Sequence, residues 1–170
     1  GAVRFNLGHA APAILAFTTA LERSPGDCQF LVNRGWANDA ANQLEAAAKD
    51  FESALVATPT DAEALTGLGY VRARQQRDIE AQRNASLAIL YAADDYHILH
   101  NVACIYAELS RSAGVMKTAH EDTALNMLHA ALDRSQASAS AAKELLAIQR
   151  DPAFAGTINR RKEYRDLLAQ

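Results

Sequence analysis

Two histidines three positions apart, His97 and His100, are the residues of this chain best spaced to do chemistry. On a helix that spacing puts both on one face, with Asp94 and Asp95 just ahead of them. Two imidazoles and a carboxylate are part of a zinc or nickel site, but such a site needs a third firm ligand. None stands beside them, so the expectation is solvent-facing polar residues, with no metal and no cofactor. His120-Glu121 begins like a zinc-protease motif, yet Ala124 stands where the second histidine should be. Glu121 and Asp122 then read as acidic residues near the positive end of a helix dipole. Gly67-Leu68-Gly69 lacks the third glycine of a phosphate loop and falls inside a helical pattern. The asparagine of Asn84-Ala85-Ser86 is a sequon by letters only, in mid-helix. Cys28 and Cys104 are more than two repeats apart, beyond the reach of a disulfide. No Ser-His-Asp or Cys-His set assembles by spacing, so the chain is read as non-enzymatic.

What must position any such residues is a repeat of 34 positions. Ala13, Ala47 and Ala81 fall in one column; Ala20, Ala54 and Ala88 in another; Leu21, Leu55 and Ile89 in a third. Leu31, Leu65 and Leu99 recur, as do Gly35, Gly69 and Ala103, and Asp27, Asp61 and Asp95. Phe17 and Phe51 are answered by Ala85, and Pro25 and Pro59 by Ala93. A period of this length marks a two-helix stacking unit. In the first full copy, 29–41 and 44–58 are predicted helices, each with an apolar face at helical spacing. Small residues at Gly35, Ala47 and Ala54 let helix axes approach, and Phe51 fills the space they leave. Pro59 ends the second helix, and Thr60 or Asp61 caps the next.

The strip Leu31-x-x-x-Gly35, Ala47-x-x-x-Phe51-x-x-Ala54, Pro59 resembles the tetratricopeptide repeat family, and Leu65-x-x-Leu68-Gly69, Ala81 and Ala88 match again. Arg34 departs from the family's usual leucine and Asn38 from its usual tyrosine. The resemblance implies an all-α fold: an α-solenoid of antiparallel helix pairs closed by a C-terminal capping pair. One domain over 1–170 is expected, with a partial repeat at 1–27, repeats at 28–61, 62–95 and 96–137, and capping helices at 138–170. The third repeat carries its second helix nine residues late, at Ala124, Leu128, Ala131 and Leu132, which places a longer loop within Ser110 to His120. In the capping pair, 138–150 and 159–169 are helical and Asp151-Pro152 is the break. Arg160, Arg161, Lys162, Glu163, Arg165 and Asp166 suit the polar outer face of a terminal unit.

In such an architecture the first helix of each copy lines a concave groove. Groove-facing candidates are Gln29, Asn33, Trp36 and Ala40 in the first copy, and Glu63, Thr66, Gly67, Tyr70 and Arg74 in the second. The third contributes His97, His100, Asn101, Cys104 and Glu108. Trp36 and Tyr70, one period apart, should stand side by side. Trp36 either faces the groove or packs against a neighbouring helix, and the sequence leaves both open. Aromatic residues dominate binding energy at such surfaces, and asparagines can hold an extended peptide backbone. Some family members grip a C-terminal carboxylate with lysines, an arginine and asparagines. The matching positions here are Val32, Trp36, Gly67, His97 and Asn101, and only Asn101 fits. The partner is therefore expected to be a protein or peptide less acidic than those tails. The rival reading is a spacer or self-association module without a specific ligand.

The run Asn101-Val102-Ala103-Cys104-Ile105-Tyr106-Ala107 resembles the last full repeat in the C-terminal regions of certain large bacterial serine/threonine kinases. Asp151-Pro152-Ala153-Phe154, Ile158-Asn159 and Glu163-Tyr164-x-x-Leu167-Leu168 resemble their closing segment, with Lys162 where a proline is common. This likeness implies a regulatory, kinase-associated signalling appendage with catalysis elsewhere. Extending the repeat backwards puts Gly8, Ala13, Phe17, Ala20 and Pro25 in the turn and second helix of an earlier copy. Residues 2–7 then end a first helix that begins before Gly1, and the chain is expected to be a fragment of a larger protein.

The composition agrees with small-residue helix contacts: 49% of residues are hydrophobic and only 6% aromatic. A net charge of −3 argues against nucleic acid, which needs a basic face. No apolar run approaches the roughly 18 residues of a membrane span. A cytoplasmic location is favoured, and the oligomeric state is left open.

Overall fold

A computed structural model of the chain describes residues 7–112, 114–137 and 140–169. Among the described residues there are nine α-helices, two 3-10 turns and no strand. Consecutive helices pack on their neighbours, so the fold is all-helical and repeat-like. The chain divides into two compact units, Gly1–Tyr91 and Ala92–Gln170. The expected tail of a first helix at 2–7 falls outside the described residues but for Leu7, which opens α1. Among those described, no helix is long and apolar enough to cross a membrane.

The first unit holds α1 (Leu7–Arg23), α2 (Cys28–Ala40), α3 (Leu44–Ala57), α4 (Ala62–Arg74) and α5 (Asp78–Ala92). Gly8 lies inside α1 and not in a turn. The aspartate column is a set of helix caps. Asp27 accepts from Phe30 N at 3.0 Å and Asp61 from Ala64 N at 2.7 Å, each satisfying an orphan donor. The ends of α2 and α4 match as well. Asn42 and Gln76, one period apart, adopt φ of 58° and 60°. Gln43 N then reaches Asn38 O at 2.8 Å, and Arg77 N reaches Arg72 O at 2.9 Å. These are the bonds of a left-handed helix stop.

Three helices of the unit, α2, α3 and α4, meet on one ring. Phe51 of α3 is fully buried. A Cβ at Gly35 of α2 would meet its Cε1 at 2.8 Å, and a Cβ at Gly67 of α4 would meet it at 2.3 Å. Gly67 therefore turns to Phe51 instead of lining an open groove. On α5 the Ala81, Ala85 and Ala88 face is buried without any aromatic.

Beside this contact lies a polar one. Arg34 donates to both oxygens of Asp50, at 3.0 and 2.6 Å, and Asn38 Nδ2 donates to Asp50 Oδ2 at 2.8 Å. Arg34 also reaches Thr18 Oγ1 on α1 at 3.3 Å. The two departures from the tetratricopeptide pattern thus answer the same buried carboxylate. A bidentate guanidinium pair is among the stronger charged contacts, and it fixes the rotation of α2 against α3.

The second unit holds α6 (Tyr96–Leu109), α7 (Lys117–Ala137), α8 (Ala141–Arg150) and α9 (Lys162–Leu168), with 3-10 turns at Pro152–Phe154 and Ile158–Arg160. Asp95 caps α6 through His97 N at 2.8 Å. The helix α7 starts at Lys117, so the longer loop is shorter than the expected Ser110–His120 span. Glu121 and Asp122 consequently lie beyond the first turn of α7. They serve as ion-pair partners of Arg161, at 3.3 and 2.9 Å, tying α7 to the residue before α9. Leu128, Ala131, Ile148, Ile158 and Leu167 build the buried interior.

Gly67→Ala should lower unfolding stability by roughly 1–3 kcal/mol through overpacking against Phe51. Alanine's intrinsic helix advantage, about 1 kcal/mol, works in the other direction. Urea unfolding reads the balance, and a midpoint unchanged or raised would refute the wedge.

Candidate functional site

The residues expected to face a groove divide sharply by exposure. In the first unit Gln29 is exposed, while Asn33 and Glu63 are half-buried. Arg74 is half-buried and tied to Asp39 Oδ1 at 2.5 Å and Asn42 Oδ1 at 2.6 Å. Thr66 is buried, its hydroxyl donating to Glu63 O at 3.0 Å. Trp36 and Tyr70 do stand side by side, 6.3 Å between centroids. Both are buried, at 3% and 9% exposure. Trp36 meets Phe51 edge-on at 5.2 Å, so its ring packs between α3 and α4. Its Nε1 is buried, with no hydrogen-bond partner among the described residues. An open cleft of about 540 Å³ lies elsewhere in this unit, between α3 and the end of α4. Its charges answer one another: Arg72 bonds Glu52 and Glu80, and Arg77 bonds Glu80.

In the second unit His97 is half-buried against Tyr96, ring centroids 4.0 Å apart. Burial lowers its pKa below the usual histidine value. The sharing of one helix face by His97 and His100 does not bring them to a common ligand. His100 turns inward instead, as do Asn101 and Cys104.

His100 sits in a buried polar cluster that two later elements complete. Its Nδ1 lies 2.6 Å from Glu144 Oε1 on α8, and its Nε2 lies 3.1 Å from Asp151 Oδ2. The Cys104 thiol, one helical turn along α6, donates to the same Asp151 Oδ2 at 3.4 Å. Asp151 keeps its other oxygen for the backbone, accepting from Ala153 N at 2.8 Å to cap the 3-10 turn. Burial works against charge on His100. The neighbouring Cys104 and the hydrogen bonds to Asp151, Cys104 and Glu144 outweigh it and hold the imidazolium well above the ordinary histidine range. Among the described residues, His100, Cys104 and Asp151 form a group whose ligand atoms could hold a metal ion, all within 4.8 Å of one another.

The same segment covers this face of α6 by other means. Phe154 is buried, its ring 5.7 Å from His100 and 6.0 Å from Tyr164. Arg111, just past α6, donates from Nη2 to the carbonyls of Pro152, Ala153 and Ala155 at 3.1–3.3 Å. Tyr164 donates to Ile148 O at 3.1 Å, and burial pushes its phenol up to about 12, with help from Asp151 and Cys104.

Sequence reasoning missed Glu144 and Arg111, and saw Asp151 and Phe154 only as a break and a familiar tail. One signal was available. Glu144 stands one turn before Ile148 on the apolar stripe of α8, and a carboxylate on such a stripe needs a buried partner. With this geometry described, no protein-family model matches the chain, and no curated protein matches it.

Phe154→Ala should release the 151–160 segment from α6, at a cost of about 3–5 kcal/mol for the lost ring. Limited proteolysis should then cut within 151–161 many times faster than in the parent chain. Equal cutting rates would mean that this segment is not held by its ring.

Proposed function

We propose that this chain is a non-catalytic binding scaffold, an α-solenoid of the tetratricopeptide type that takes a protein or peptide on the first helices of its repeats. One observation carries the reading. The first helix of the third copy, α6, already has a short segment of the same chain laid across it. That segment is held by a ring (Phe154), a carboxylate (Asp151) and three backbone carbonyls (on Arg111). These are the contacts a bound peptide would use: an anchor in a pocket, a charge partner and main-chain hydrogen bonds. The 34-residue register, the shared aspartate caps and the matching stops of α2 and α4 support treating the other first helices as surfaces of the same kind.

On this reading the face of α6 is taken, and the sites left for a partner lie on α2 and α4. Gln29, Asn33 and Glu63 are reached by solvent there, as is Arg74, which is tied to Asp39 and Asn42. Trp36 and Tyr70 act beneath them, as the stiff floor that fixes their spacing. The sequence likeness of 101–107 and 151–168 to the ends of bacterial serine/threonine kinases supports a regulatory role within a larger signalling protein.

Selection of peptides from a random library on the purified chain tests the scaffold reading. Binders should emerge, and the double variant Asn33→Ala, Glu63→Ala should weaken them by at least about tenfold, roughly 1.4 kcal/mol. Circular dichroism should be unchanged. A library that yields no binder, or binders indifferent to both changes, would favour the spacer.

A further inference from the structure

We propose that His100, Cys104 and Asp151 form a zinc site that staples the C-terminal segment to α6. The inference stands on the cluster itself and does not depend on the scaffold reading. Three features of the geometry point to it. The first is ligand type and spacing. A thiolate, an imidazole and a carboxylate are the donors zinc selects. His100 and Cys104 are four apart on one helix, which brings both side chains to the same face. Zinc bound tetrahedrally at its usual bond lengths sets ligand atoms roughly 3.4–3.6 Å apart. Here His100 Nε2 and Cys104 Sγ stand 3.1 and 3.4 Å from Asp151 Oδ2. All three ligand atoms lie within 4.8 Å of one another, so side-chain adjustment alone can bring them to that spacing.

The second is the division of labour within Asp151. Its Oδ1 is fixed by Ala153 N at 2.8 Å, which aims Oδ2 at the histidine and the thiol. The ligand is thus held by the cap of the 3-10 turn and needs no rearrangement of the backbone. The third is Glu144. Its Oε1 takes the far nitrogen of the His100 ring at 2.6 Å. A carboxylate on the non-ligating nitrogen of a zinc histidine sets the tautomer and orients the ring. Glu144 has that place, on a third element, and is itself buried.

Binding would displace two protons, one from the Cys104 thiol and one from Nε2 of the His100 imidazolium, and leave the ring neutral. The ion and its two anionic ligands then sum to zero charge, which suits a buried position. Three protein ligands leave a fourth place for water. A structural role follows from the topology: the ligands come from α6 and from the segment that closes the unit, so the ion would lock that segment in place. Metal binding of this kind contributes directly to folding stability.

The test uses the full 170-residue chain. It is stripped with a chelator and titrated with Co²⁺, then with Zn²⁺. One equivalent of Co²⁺ should produce a thiolate-to-cobalt charge-transfer band with the strong visible absorption of a tetrahedral centre, and Zn²⁺ should erase both. Cys104→Ser should abolish the charge-transfer band, while Cys28→Ser keeps it. Glu144→Gln should keep it but weaken metal affinity by roughly 10–100-fold. Zn²⁺ should also raise the melting temperature of the parent chain and leave that of Cys104→Ser unmoved. A folded parent chain that shows no charge-transfer band would overturn the proposal, whatever the variants do. So would a band that survives Cys104→Ser.

Discussion

Phe51 cannot occupy its place unless two residues on two other helices have no side chain. Gly35 on α2 and Gly67 on α4 both look directly onto its ring. That requirement fixes how close three helices of the first unit can come, and the other contacts there inherit the spacing. Trp36 can lie edge-on to Phe51 only because α2 sits so near α3. Tyr70 is carried against Trp36 by the approach of α4. A fully buried phenylalanine contributes about 1.5–3 kcal/mol by area alone. Its larger effect is geometric, since a close-packed interior transmits the position of one rigid ring to all its neighbours.

The polar network around Asp50 is the second determinant, and it limits what the ring alone cannot. An apolar wedge tolerates some rotation of a helix about its own axis. The paired bonds from Arg34 and the bond from Asn38 do not. Their cost is that one buried carboxylate must never lose its guanidinium. Arg34 and Asn38 thus supply direction where apolar residues would supply only bulk, and the first unit keeps its repeat period with two polar residues in the contact between α2 and α3.

Much of the helical framework was legible in the sequence because it is written locally. Capping aspartates, the proline after α3 and Gly35 against Phe51 each act within a few residues or within one period, whereas the contact of Gly67 with the same ring comes from the next period and is not marked locally. The helix α6 shows the same: its start at Tyr96 follows from Asp95, one period after the cap at Asp61. The orientation of Trp36 was not legible, since an aromatic ring at that position suits either a groove or a neighbour. Its burial depends on Phe51 and Tyr70 together. The start of α7 at Lys117 is not marked in the sequence, since Met116 just ahead of it is no capping type and the glycine and serine nearby suggest only a loop. The columns that do recur hold mostly Ala, Gly and Leu, types common in any helix. Periodicity is visible in them while family identity is weakly marked.

The polar cluster of the second unit was hidden for a different reason. His100 was singled out from its neighbour His97, yet the two ended on different errands. What His100 needed were Glu144 and Asp151, 44 and 51 positions later, beyond an insertion that breaks the period. No repeat rule reaches across that gap. Cys104 shares a helix face with His100 in the sequence, but nothing there shows that the face is buried under Asp151. Arranged together, these groups change the meaning of the C-terminal segment. A terminal cap need only cover apolar surface, and Phe154 with Tyr164 would suffice for that. Burying an imidazole, a thiol and two carboxylates beneath the cap is costly unless each finds a partner. The cap is therefore specific as well as apolar: it fits α6 in one register, with Asp151 over His100 and Cys104. A slip of one residue along the segment would leave charge stranded in the interior.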